Sequence, residues 1–181
     1  MERVDVAVVG GGPAGASAAH AAATRGADTL VLEKGVPRAD REELGPDSTD
    51  AAGILDYWVD IMGIHPEEFP SGVVETTLDR AEFVGPSESV TMYGTGIDSS
   101  YDSFGFTMHR ARFDDFLRKR AETAGADYRT GASVKAVDSD LSPGDGPRHV
   151  LHVGGGDQVG AAFLILADGP QRTVTNGVLD Q

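Results

Sequence analysis

The sequence predicts an α/β fold built on a parallel sheet, and three observations carry that expectation. Residues 4–9, apolar apart from Asp5, and 163–167, wholly apolar, are short runs with the pattern of strands buried on both faces. A G-x-G-x-x-G pattern, Gly10, Gly12 and Gly15, stands between the first of these runs and an alanine-rich stretch. Between residues 132 and 160, three strand-like segments separated by LSPGDGP and GGG read as an antiparallel β-meander.

The first 33 residues read as one βαβ unit. After the strand at 4–9, Gly10 permits a tight turn, Gly12 leaves the backbone open to a pyrophosphate, and Gly15 lets the next helix pack close to the sheet. That helix is expected over 13–25. Alanine is the best helix former, Pro13 suits the first position, and Gly26 suits the left-handed end. Its free N–H groups and dipole favour an anion. Residues 28–33 form the second strand and end in Glu33, a carboxylate at the spacing of a ribose-binding acid. Strand, glycine turn, helix, strand and acid in register point to a dinucleotide site.

Further along, residues 34–48 carry turn formers and charges without periodicity and are expected to form a surface loop. A helix is expected over 49–62, capped by Asp47 or Ser48 and ended by Gly63, with Ile54, Leu55, Trp58, Ile61 and Met62 as its buried stripe. Residues 73–108 read as extended segments of a second layer that covers the ligand. Met92, Tyr93, Phe104 and Phe106 are expected in its core or lining a pocket. A second long helix runs from His109 to about residue 124, with Phe113, Phe116, Leu117 and Ala121 inward and Gly125 as its stop. A short strand follows at 126–129. The meander leads to a last strand at 163–167, which ends in Asp168-Gly169, at the sheet edge where ligands approach.

Composition narrows the partners. The 181 residues carry 29 acids against 15 bases, a formal charge of −14, with 19 Asp, 10 Glu and only three lysines. This balance argues against nucleic acid as a partner, because its phosphates need basic patches. The acidity is expected to suit a salt-rich, halophilic cytoplasm, where screening relieves self-repulsion. With no cysteine, disulfides, thiolate metal sites and cysteine nucleophiles are excluded, and no metal site is expected. No signal peptide and no apolar run of about 18 residues is visible, so a cytoplasmic location is expected.

Three motifs carry a resemblance to a known family: GGGPAG with Glu33, then R-x-x-F-D at Arg110, Phe113 and Asp114, then Ala167-Asp168-Gly169. In order and spacing, with the meander between the last two, the chain resembles the FAD-dependent superfamily of aromatic-ring hydroxylases and geranylgeranyl reductases. Within it, HRARFDDFLRKRAETAGADY is most similar to the archaeal geranylgeranyl reductases, which saturate isoprenoid double bonds of membrane lipids. The resemblance implies a Rossmann-like, glutathione reductase-type FAD-binding domain over 1–72 and 109–181, with partial substrate-domain strands over 73–108. It implies that Gly10, Gly12, Ala14 and Gly15 surround the FAD pyrophosphate and that Glu33 holds the adenosine ribose. Arg110 would pair with phosphate, Val134 would meet the adenine side through its backbone, and Asp168 and Gly169 would sit near the ribityl chain.

An isoprenoid lipid substrate, an external electron donor (NADPH or ferredoxin) and transient contact with a membrane surface follow from the same resemblance. Two departures stand out. REELGPDSTD lacks the cysteine-glycine motif that many of these reductases carry, and the C-terminal FAD motif of the superfamily has no counterpart here. The chain is therefore expected to be an N-terminal half. Two other readings stay open: an aromatic-hydroxylase type of FAD monooxygenase, and a truncated, non-catalytic FAD-binding chain. No residue identifies itself as the catalytic acid.

Overall fold

A central strand, β1 (Glu2–Val9), organises the first of two units. The structure, a computed structural model, describes residues 1–36, 51–142 and 146–179. The units are Met1–Glu43 with Leu117–Gln181, and Leu44–Phe116. In the first, β1 is followed by α1 (Pro13–Thr24), β2 (Thr29–Leu32), the C-terminal part of α3 (Arg110–Thr123), β8 (Asp127–Arg129), β9 (Val134–Ser139), β10 (His149–Val153), β11 (Gln158–Leu166) and α4 (Thr173–Leu179). The sheet order is β8-β2-β1-β11-β10-β9. The four strands from β8 to β11 are parallel, and β10 and β9 continue them antiparallel.

Both faces of the parallel part are covered at its centre, which explains the apolar runs at 6–9 of β1 and 30–32 of β2. Val6, Val8 and Val31 pack with Ala19 and Ala23 of α1 and Ala121 of α3. On α1 the buried positions Ala16, Ala19 and Ala23 repeat at helical spacing, and their small side chains let the helix lie close. Ala7, Val9, Leu30 and Leu32 pack instead with Val137, Leu151 and Val159 of the meander and Val174 of α4.

One strand differs from expectation. Residues 158–161 and 163–167 are not two strands; β11 is continuous over nine residues. Its first residues pair antiparallel with β10 while its whole length runs parallel to β1, from Glu2↔Val159 to Val9↔Leu166. Phe163, expected in a buried strand, is 62% exposed on it. The helix α4 had no counterpart in the sequence reading.

The second unit holds β3 (Ala51–Leu55), α2 (Asp56–Met62), a single 3-10 turn (Pro66–Glu68), β4 (Val74–Leu78), β5 (Ala81–Val84), β6 (Ser89–Met92), β7 (Gly105–His109) and the start of α3. The sheet order is β3-β7-β4, and β5 and β6 form a separate hairpin. The helix expected over 49–62 is corrected here, and its expected caps, Asp47 and Ser48, fall outside the described residues, as does most of the 34–48 loop. Residues 51–55 pair antiparallel with β7, from Ala51↔His109 to Leu55↔Gly105, so the sheet ladder takes their backbone groups and the helix begins only at Asp56. The Asp56 carboxylate is buried. It accepts the Tyr57 N–H at 2.8 Å and the Thr95 hydroxyl at 2.8 Å.

The short helix also turns a different face inward. Val59 is buried, whereas Trp58 and Ile61, expected in the core, are 44% and 63% exposed. Gly63 ends it in the left-handed conformation, as expected. Phe69 centres an aromatic cluster with Phe106, Phe113 and Phe116, at 5.9, 5.7 and 5.2 Å between ring centroids. Phe104 is buried with them, whereas Met92 and Tyr93 are exposed. On the β5–β6 hairpin, Ala81↔Met92 and Phe83↔Val90 share one face.

Charge is distributed unevenly between the units. Leu44–Phe116 contains 14 acidic side chains against 3 basic ones, and the remainder 15 against 12. Self-repulsion in the acidic unit is relieved by screening, because the Debye length falls from about 10 Å at 0.1 M to about 3 Å at 1 M salt. The melting temperature is therefore expected to rise by several degrees between 0.1 and 1 M KCl. A salt-independent melt would show that repulsion does not limit stability. Among the described residues, no helix is long and apolar enough to cross a membrane.

Candidate dinucleotide-binding site

The C-terminal edge of the parallel strands gathers most of the residues singled out in the sequence. β1 hands over to Gly10, whose φ of +98° is a left-handed conformation that side chains rarely adopt. Its N–H donates to the Leu32 carbonyl at 2.9 Å, and a Cβ here would run into the Ala167 carbonyl. Gly10 is thereby seated against the end of β11, beside Asp168 and Gly169. Gly15 lies so close to the Gly10 carbonyl that a Cβ has no room, and Val8 is also in contact. Glycine is a packing requirement at both positions.

Gly12 is different. It is the N-cap of α1, in an extended conformation with no side-chain cap, and Pro13 follows at the first helical position. A Cβ on Gly12 would meet no protein atom within 4 Å, and Ala14 is exposed. Here the loop presents bare backbone and a helix N-terminus, the arrangement that receives a phosphate group.

Glu33 stands beside this opening. Its Oε2 accepts the Gly11 N–H at 2.6 Å and its Oε1 accepts the Gly35 N–H at 2.5 Å. Each carboxylate oxygen accepts more than one hydrogen bond, so both keep capacity for the vicinal hydroxyls of a ribose. The Glu33 carbonyl accepts the Ala132 N–H at 2.9 Å, which brings the approach to β9, and Val134 at its start, alongside. Val134 is itself buried in the core. Lys34 Nζ donates to the Gln171 side chain at 3.2 Å, linking the segments that follow β2 and β11.

The partners of the Asp168 carboxylate are not evident from the sequence. Its Oδ2 accepts the Val174 and Thr175 N–H groups at 2.8 and 3.0 Å, and its Oδ1 accepts the Thr175 hydroxyl. The carboxylate thus caps the first turn of α4, while Gly169 turns the chain with φ +76°. Burial alone would raise the Asp168 carboxyl, but the bonds from Thr175 and Val174 outweigh it and hold the group below the ordinary carboxylate range. A lowered carboxyl stabilises the fold above its unfolded value of about 3.9 and loses that contribution as pH falls through the folded value. Asp168→Ala is expected to cost about 1 kcal/mol at pH 7 in urea unfolding, with the difference from wild type shrinking below about pH 4. A pH-independent difference would contradict a charged cap.

Arg110 belongs to the other unit. It opens α3, and its Nε and one terminal nitrogen donate to the two carboxylate oxygens of Asp114 at 2.8 and 3.2 Å. The R-x-x-F-D motif is therefore an internal, half-buried ion pair one helical turn apart, with Phe113 between them turned into the aromatic cluster.

A glycine turn from β1 into α1, an open N-cap and a carboxylate ending β2 define a dinucleotide-binding α/β domain. Its residues fit a dinucleotide: N–H donors stand where phosphates are received and an acceptor where a ribose is received. Residues 5–155 match the family model described as FAD dependent oxidoreductase. The chain belongs to the FAD-dependent oxidoreductase family, and its cofactor is FAD.

A digeranylgeranylglycerophospholipid reductase of Picrophilus torridus is 30% identical over 167 residues, 91% of this chain and 39% of that protein. Digeranylgeranylglycerophospholipid reductase 2 of Methanopyrus kandleri is 32% identical over 170 residues, 94% of this chain and 38% of that one. Among solved structures, a geranylgeranyl bacteriochlorophyll reductase-like protein from Thermoplasma acidophilum superposes with a TM-score of 0.74 at 24% identity, over 98% of this chain and 42% of its own. An anhydrotetracycline hydroxylase from Streptomyces rimosus gives 0.73 at 26% identity, over 96% and 33%. The chain spans about two-fifths of the length of these two reductases.

Proposed function

We propose that this chain holds the adenosine and pyrophosphate part of FAD within an oxidoreductase that saturates C=C bonds of isoprenoid membrane lipids. The observation that carries the cofactor part is the open backbone at Gly12 beside the Glu33 carboxylate. Gly10, Gly12, Ala14 and Gly15 shape the pyrophosphate cradle, and Glu33 accepts the ribose hydroxyls. The backbone approaching Val134 borders the adenine side, and Gly169 borders the far end of the phosphates. Arg110, in the other unit, keeps donors beyond those given to Asp114. Asp168 acts on the site through α4, whose first turn it caps.

The lipid part of the reading rests on the relatives, which are named as reductases of digeranylgeranylglycerophospholipids. The chemistry that FAD supplies is two-electron transfer; the protein supplies binding, orientation and exclusion of water. A reductase of this kind also needs a redox partner, NADPH or a ferredoxin, and meets its lipid at a cytoplasmic membrane surface. The similarity to an anhydrotetracycline hydroxylase supports a second reading, monooxygenation of an aromatic.

Purified chain in 1 M KCl is expected to retain added FAD through gel filtration and to release it to excess ADP. A chain that takes up neither FAD nor ADP overturns the cofactor reading. Saturated product from a geranylgeranyl lipid under reducing conditions supports the reductase. Oxygen consumption dependent on an aromatic and NADPH, without that product, replaces it with the hydroxylase.

A further inference from the structure

Gly11 is the variable position of the glycine motif, yet both its N–H and its carbonyl are held. Its N–H donates to Glu33 Oε2 at 2.6 Å, and its carbonyl accepts a hydrogen bond from the hydroxyl of Tyr128. A Cβ on Gly11 would collide with that hydroxyl and lie 2.9 Å from the Glu33 Cβ. Tyr128 is in β8, the third parallel strand, paired with Val31 of β2. Its ring packs on the cluster formed by Val6, Val8, Val31 and Ala126, so the ring is anchored and the hydroxyl is delivered at the ligand edge of the sheet.

The geometry points to Tyr128 as a positioning residue for the cofactor phosphates, an inference that rests on the cofactor reading above. The warrant is the planarity of the peptide group. In a trans peptide the carbonyl of one residue and the N–H of the next point in opposite directions. No cis peptide is present among the described residues, so fixing the Gly11 carbonyl on Tyr128 turns the Gly12 N–H away from Tyr128. That N–H lies ahead of the first helical turn, where no intrahelical acceptor exists. It belongs to the residue whose bare Cα faces open space. Tyr128 therefore sets the direction of a phosphate-facing donor without touching the phosphate. Glu33 holds the other side of the same residue, which ties the ribose acceptor and the phosphate donor into one rigid piece.

The test compares Tyr128→Phe with wild type for FAD, ADP and adenosine, by flavin fluorescence and calorimetry, alongside melting of the ligand-free proteins. The variant is expected to bind FAD and ADP about tenfold more weakly, the scale of one lost hydrogen bond of about 1.4 kcal/mol. Adenosine affinity is expected to stay within about twofold. Gly11→Ala displaces the hydroxyl from the other side. In that background Tyr128→Phe is expected to cost less than about twofold, a non-additivity that marks a shared contact. Equal ADP affinity in wild type and Tyr128→Phe overturns the inference and leaves the cofactor reading intact. Equal losses for ADP and adenosine also overturn it, because they show a merely structural role. Wild type that binds none of the three ligands overturns both.

Discussion

Gly12→Val is expected to abolish FAD binding while leaving the ligand-free protein folded. At this position the backbone has φ −71° and ψ −173°, a conformation open to any residue, and an added Cβ meets no protein atom within 4 Å. The fold therefore has no objection to the side chain. The ligand does, because branched methyls fill the space through which the pyrophosphate reaches the helix N-terminus. A loss of at least about 100-fold is expected, or roughly 2.7 kcal/mol, with the melting temperature of the ligand-free chain within a few degrees of wild type. Fluorescence quenching of FAD and a thermal melt check the two halves separately. Unchanged FAD affinity would remove this loop from the cofactor site.

Gly15→Val is expected to fail in the opposite way. The Cβ would fall on the Gly10 carbonyl, which is backbone, and 3.3 Å from Val8 Cγ1 in the fully buried core of the sheet. Neither neighbour is the movable end of a side chain, so α1 must withdraw from β1. Overpacking of this kind costs about 3 kcal/mol or more, a large share of the 5–15 kcal/mol that typically separates folded from unfolded chains. Circular dichroism in urea is expected to show a much lower midpoint, with FAD giving little rescue. A wild-type midpoint would mean that helix and strand do not approach as closely as described. Two glycines three residues apart thus separate a binding requirement from a folding requirement.

What could be read from the sequence followed from local rules. The apolar run into Gly10, the alanine helix closed by Gly26 and the acid at 33 each declare themselves by residue type and spacing, and all three lie where expected. The helix expected at 49–62 shows where such rules fail. Ile54 and Leu55 fit a helical stripe, but their partner is β7, some fifty residues later, and local periodicity carries no information about that pairing. Apolarity alone would place Trp58 and Ile61 in the core, and the same shift of register leaves them exposed. Asp168 was visible as a polar residue ending a strand, yet its work depends on Val174 and Thr175. The strand-ending acid and the Thr-Val-Thr stretch that begins five residues later are the available signal. Tyr128 could not be singled out from sequence. Its role arises only when parallel pairing sets β8 beside β2 and brings its hydroxyl to Gly11.

The pairing of β1 with β11 has a consequence for how the molecule comes into being. Val9 faces Leu166, and Gly10 is seated against Ala167, so the first motif of the chain is completed by residues more than 150 positions later. Contacts of such long sequence separation delay folding, because the intervening loop must close before they form. At roughly 5–20 residues per second of synthesis, the nascent glycine turn waits many seconds for its last wall. During that interval α1 and β2 can form locally, but the cradle they are to line has no floor. Cofactor capture therefore waits for β11, and added FAD is expected to accelerate no step before that strand has emerged.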